Sequence, residues 1–402
     1  MAPLSSRLLG TSALLGLAAG AAWAAGRALG ERVSLDEARN PRLINWHWAR
    51  SVAGAMARRG LDSLWMADAD HERLRRLYAG LVERSAELVA AYAGGELPEP
   101  LARVHVFDRA EWIDANLAQF QLLFTPLDEA YARAIARTQH GRSVGAAGQV
   151  VLSGQVGVLL GYLARRVLGQ YDLSLLGREP VAGGRLYFVE PNVALMERQY
   201  ALPPHEFRAW IALHEVTHAF ELEAHPWVRH YLNDLLAGYL ALVSDDLFGD
   251  RPGGALSVFA GRIKDNLFEH GHVLELMMSR EQRELFRRLQ ALMALMEGYS
   301  NHVMERVGAA HLPEHEKLKQ TFESRARHRG AMEQLFIKLT GLDIKLEQYV
   351  LGERFCERVV DTRGIDFLNQ VWEGPDRLPA LDEIIDPDRW IARQAALRVA
   401  RA

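Results

Sequence analysis

Between Pro204 and Pro226 the chain contains neither proline nor glycine, and midway along that stretch stands Leu213-His214-Glu215-Val216-Thr217-His218. Phe207, Trp210, Ile211, Val216 and Phe220 recur there at helical spacing, and a proline at the head of the stretch suits a first helical turn. The segment is therefore expected to be a helix with a substantial apolar face. Two histidines and a glutamate in such a helix are costly to bury unless each has a partner. Residues i and i+4 share a helix face, so both imidazoles can reach one ion, and HExxH is the spacing that binds zinc with the glutamate left free. Glu215, at the edge of that face, is placed to accept a proton from a zinc-held water without itself becoming a ligand.

The cofactor expected is Zn2+, and its remaining protein ligand must be a carboxylate or a histidine. Cys356 is the only cysteine, which excludes an internal disulfide and a Cys-rich structural zinc site. The spacing after His218 holds Glu221 and Ala224 where a metzincin needs glycine and histidine. Candidates for the third ligand are Asp234, Asp245, Glu269, Glu275 and Glu297. Glu297 stands out because it interrupts the apolar run Leu292-Met293-Ala294-Leu295-Met296, where an unpaired carboxylate would be expensive. Gly298 beside it leaves room for another element to approach. Asn301 and His302, about a turn later, are candidates to orient it through hydrogen bonds.

The rest of the chain reads as mainly α with a few short β-strands. Helices are expected over Leu35–Met56, His71–Ala91, from Asp108 onward, and from Leu274 to Arg306, with Pro313 as a break. Val104–Phe107 and Arg185–Val189 read as short strands, and Gly177–Gly184 and Arg251–Gly254 as connecting loops. Residues 1–32 form a hydrophobic N-terminal segment and 33–402 one largely helical catalytic domain.

Two uncharged runs raise the question of a membrane. Leu8–Gly26 is bracketed by Arg7 and Arg27 and just spans a bilayer as a helix. A membrane anchor or uncleaved signal is the favoured reading, ahead of a soluble Ala/Gly helix in a cytoplasmic protein and of a cleaved signal ending at Ala22-Trp23-Ala24. Ser143–Ala164 is equally long, but its glycines together with Gln149, Ser153 and Gln155 favour a helix packed inside the protein. The net charge of −4 offers no global basic balance for nucleic acid.

Several separate stretches together resemble the zincin-like metallopeptidase type 2 family. They are Asn45-Trp46 with Ala49, Val167-Leu168-Gly169-Gln170-Tyr171-Asp172, Phe207-Arg208-Ala209-Trp210 leading into the HExxH, and Pro226-Trp227. Further on come Glu297-Gly298-Tyr299-Ser300-Asn301-His302-Val303-Met304, Gly341-Leu342-Asp343 with Lys345 and Gln348-Tyr349, and Trp372, Leu378-Pro379, Pro387 and Trp390. The resemblance implies a mostly helical zincin-like fold, hydrolase activity, and Glu297 as third ligand; one branch of the family is associated with deazaflavin coenzyme biosynthesis. The leading expectation is a zinc-dependent metallopeptidase acting on a peptide or protein, with Tyr171, Tyr299 and His302 as candidate oxyanion donors. The alternative is a zinc-stabilised accessory or binding protein without catalysis, and the presence of Glu215 speaks against it, since a structural zinc needs only ligands.

Overall fold

The structure, a computed structural model, describes residues 42–58, 68–95, 97, 104–137, 141–171, 184–248, 278–327 and 342–401. The run at Leu8–Gly26, the loop at Arg251–Gly254, nearly all of the Gly177–Gly184 link and the rival acids Glu269 and Glu275 lie outside these residues. In chain order the elements are α1 (Trp46–Arg58), α2 (Asp68–Ala93), β1 (Val104–Phe107), α3 (Arg109–Ala136), α4 (Gly141–Ala164), β2 (Gly169–Tyr171), β3 (Leu186–Val189), α5 (Glu190–Tyr200) and α6 (Pro204–Ala219). A π-helical turn (Phe220–Ala224) follows, then α7 (Pro226–Phe248), α8 (Arg280–His311), α9 (His315–Arg327), α10 (Leu342–Arg363), α11 (Ile365–Leu368), α12 (Leu381–Ile385) and α13 (Pro387–Arg401), with short 3-10 turns between α11 and α12. The fold is mainly α with a few short strands.

These elements gather into two compact units, each assembled from separate stretches of chain. In the first, α1 packs on α3 and α4. The uncharged run within Ser143–Ala164 lies on α4, whose glycines meet α1 directly: a Cβ on Gly157 would come within 2.6 Å of the Ala49 carbonyl, and one on Gly161 within 2.7 Å of the Ala53 carbonyl. The polar residues of the run are used across the same contact. Ser153 Oγ accepts from the Asn45 N–H at 2.8 Å, and Gln149 Nε2 donates to the Arg42 carbonyl at 2.7 Å. Close backbone approach through small residues accounts for the run without lipid. Among the described residues no helix is long and apolar enough to cross a membrane.

The second unit holds the three-stranded sheet, α2, α5, α6, the π-turn, α7 through Val243, and α8–α13. The strand order is β1-β3-β2, with β1 parallel and β2 antiparallel to β3. β3 is buried at all four positions, and Tyr78 of α2 stacks on its Phe188 at 4.1 Å. β2 was not expected as a strand, because three residues are too few to show an alternation. α6 begins at Pro204, which needs no N–H partner there, and it packs against α2, α8 and β2. Arg208 fixes it by a pair of short ion pairs, to Glu190 and to Glu197, both at 2.6 Å.

α8 starts later and ends later than expected. Ser279 and Gln282 form a reciprocal capping box that sets its start at Arg280, and it runs unbroken past Arg306 to His311, just before Pro313. Gly298 on α8 faces Gly352 on α10 so closely that a Cβ on either residue would overlap the other helix's backbone. The close approach expected at Gly298 is therefore made by α10.

Candidate metal centre

α6 is buried nearly all round, with Phe207, Trp210, Ile211, Ala212, Leu213, Val216 and Ala219 in the core. His214 and His218 stand half-buried on one face of this buried helix. α8 brings Glu297 to the same face. Glu297 Oε2 is 3.7 Å from His214 Nε2 and 3.8 Å from His218 Nε2, and one ligand atom from each of the three lies within 4.8 Å of the others. The two rings stand nearly perpendicular, with centroids 4.7 Å apart.

These separations are too long for hydrogen bonds. They approach the edge of a tetrahedron whose spokes are the usual zinc–nitrogen and zinc–oxygen lengths, an edge of about 3.3 Å. Two imidazole nitrogens and a carboxylate oxygen are also the donor set that a catalytic-type zinc site uses. The residues thus fit a small divalent ion in donor chemistry and in spacing. Of the rival acids, Asp234 and Asp245 are exposed.

Glu215 is buried, only 7% exposed. Burial pushes its carboxyl up; His214 and His218 oppose that shift and Glu297 adds to it. β2 lies directly against it. The Tyr171 N–H donates to the carboxylate, and a Cβ on Gly169 would sit 2.7 Å from Glu215 Cγ. Glycine at 169 is what lets the strand come that close.

A model of the zincin-like metallopeptidase family matches residues 44–391, most of the chain. The chain belongs to this zincin-like family. A crystal structure from Chloroflexus aurantiacus, described as that of "a putative hydrolase with a novel fold", is 41% identical, covering 88% of this chain and 99% of that one with a TM-score of 0.63. No curated protein matches the chain. Family membership and this relative both point to a hydrolase.

Within this zincin-like site the other expected residues are placed as follows. The Tyr171 hydroxyl donates to Glu223 and accepts from Arg229 at 3.0 Å, so it is engaged on the side of the π-turn. The Tyr299 hydroxyl donates to Asn369 Oδ1 at 2.8 Å, inside the core. His302 is buried with Nε2 2.8 Å from the Tyr92 hydroxyl, and Asn301 is half-buried. The neighbour that reaches the histidine pair is Ser300, whose Oγ lies 3.1 Å from His218 Nδ1. It is joined there by Glu221, wholly buried, with Oε2 2.9 Å from the same nitrogen. Burial pushes the Glu221 carboxyl up to about 7, against the pull of His218. Burial also opposes a charge on His218, but Glu221 and Glu297 outweigh it and raise that imidazole's pKa in the metal-free chain. In the sequence Glu221 shows itself only as a departure from the metzincin pattern. Its signal was present all the same, as an acid at i+7 from His214 and i+3 from His218, one helix face.

Proposed function

We propose that this chain is a zinc-dependent metallopeptidase whose ligands are His214, His218 and Glu297 and whose general base is Glu215. The observation that carries the reading is the convergence of two Nε2 atoms and one carboxylate oxygen beside a buried, non-ligating glutamate. Three protein ligands, the number in this cluster among the described residues, is the count of a zinc site that keeps a position for substrate or water. Zinc bound there supplies a Lewis acid that lowers the pKa of water toward neutrality and polarises a carbonyl.

The protein's own groups do the remainder. Glu215 accepts the proton of the attacking water and returns it to the leaving amine. Its burial raises its affinity for a proton, which suits it to accept one from water. The Tyr171 N–H and the bare Cα of Gly169 hold the carboxylate in place.

The test is digestion of an unbiased peptide library by zinc-loaded protein and by a Glu215→Gln variant. The wild type is expected to cleave, and the variant to retain zinc while losing about 10²-fold or more of the rate. Equal turnover by both proteins would remove Glu215 from the mechanism. Zinc bound without cleavage of any library member would favour an accessory, non-catalytic role.

A further inference from the structure

His218 is flanked by two carboxylates that meet its two ring nitrogens differently. At Nδ1, Glu221 Oε2 is at hydrogen-bond distance, 2.9 Å. At Nε2, Glu297 Oε2 stands off at 3.8 Å. An ionised carboxylate only accepts, so with Glu221 ionised the proton they share sits on Nδ1, and a neutral ring then keeps its lone pair on Nε2, facing His214 and Glu297. Glu221 is itself held. Ser300 Oγ donates to its other oxygen, Oε1, at 3.2 Å, and no part of the residue is exposed. A carboxylate this deeply buried persists only with such partners. Its place in the chain is specific as well. It is the second residue of the π-turn that follows α6, and single π-turns inside helices occur often at functional sites. The same turn sends Glu223 elsewhere, to the Tyr171 hydroxyl and Arg229.

We propose that Glu221, steadied by Ser300, is the positioning residue of the metal centre: it fixes the tautomer and ring orientation of His218 so that Nε2 is presented to the ion. This rests on the zinc reading of the site given above. It touches neither substrate nor ion, and acts only through His218.

The experiment is a zinc titration against a chromophoric chelator on the full chain, for the wild type and for Glu221→Gln, Ser300→Ala and Glu197→Gln. The last removes the half-buried carboxylate charge of α5 from its ion pair with Arg208 of α6 and serves as the control for damage to the fold. Glu221→Gln is expected to bind zinc roughly 10- to 100-fold more weakly, Ser300→Ala to weaken it by a smaller factor, and Glu197→Gln to leave it within about twofold even where its melting point falls. If Glu221→Gln does not fold, Ser300→Ala and nitrogen-15 histidine spectra of the zinc-loaded wild type decide instead. The spectra are expected to show His218 protonated at Nδ1 and metallated at Nε2. Wild-type affinity in folded Glu221→Gln and Ser300→Ala, or His218 bound through Nδ1, would overturn the inference while leaving the zinc site intact. A wild type that binds no zinc would overturn the zinc reading itself, and the inference with it.

Discussion

Glu297 differs from the other acids considered as ligands in that it is a charge on an otherwise apolar stretch of α8, drawn to the two histidines of α6. Its carboxyl is held well below the usual range: burial pushes it up, but His214 and His218 outweigh that. Without it two imidazoles one turn apart make an ill-shaped site. Glu297→Ala is expected to weaken zinc binding by several orders of magnitude, and Asp234→Ala, at an exposed position, to leave it nearly unchanged; a chelator titration that reversed this order would reassign the third ligand. His302 makes a different residue-scale statement. Burial, helped by Arg306, lowers its pKa from 6.5 to about 4, so the folded chain holds the neutral ring while the unfolded chain binds a proton at higher pH. The stability due to the neutral ring is present above about 6.5 and is lost as pH falls through that window toward 4. In denaturant titrations across this range His302→Gln is expected to flatten the fall of stability with pH by up to one proton's worth. An unchanged slope would show that the ring is protonated in the folded state.

At the scale of elements, the site depends on where α8 crosses its neighbours. Gly298 adjoins Glu297, and its contact with Gly352 brings α8 and α10 backbone to backbone. A methyl group there has no flexible side chain to displace, so one helix must move. Gly298→Ala is expected to cost about 3 kcal/mol or more in a denaturant melt, at or beyond the upper end of ordinary overpacking, and to weaken zinc binding by shifting Glu297. Gly80, on α2, has nothing within 4 Å of an added Cβ. Gly80→Ala should therefore stabilise by about 0.5–1 kcal/mol through helix propensity alone. A Gly298→Ala protein as stable as Gly80→Ala would mean that the two helices do not cross at that point. The strand β2 plays the complementary part for Glu215, since Gly169 and the Tyr171 N–H meet it from the sheet side.

For the whole molecule, the proposed ligands stand on α6 and α8, so an ion held by them would tie together parts of the second unit that are remote in sequence. An ion that binds the folded chain and not the unfolded one adds about 4 kcal/mol at a thousandfold excess over its Kd. Zinc is expected to raise the calorimetric melting temperature by several degrees, reversibly with chelator, and to have little effect on Glu297→Ala. A melting point indifferent to zinc would place the ion elsewhere or nowhere. Legible in the sequence was what depends on near neighbours: the α6 helix, the shared face of His214 and His218, Glu215 at its edge, strands over 104–107 and 185–189, the second starting one residue later in the fold, and the anomaly of an acid at 297. These are properties of periodicity and cost, and both are encoded within a few turns of chain. Tertiary structure alone decided which groups meet across elements. It joined Glu297 to the histidines, turned the Tyr171 and Tyr299 hydroxyls to Glu223, Arg229 and Asn369, turned His302 to Tyr92, and set Glu221 and Ser300 behind His218. A side chain's hydrogen-bond partner is fixed by the crossing of packed helices and by which polar atoms are left without water, and no local spacing carries that information.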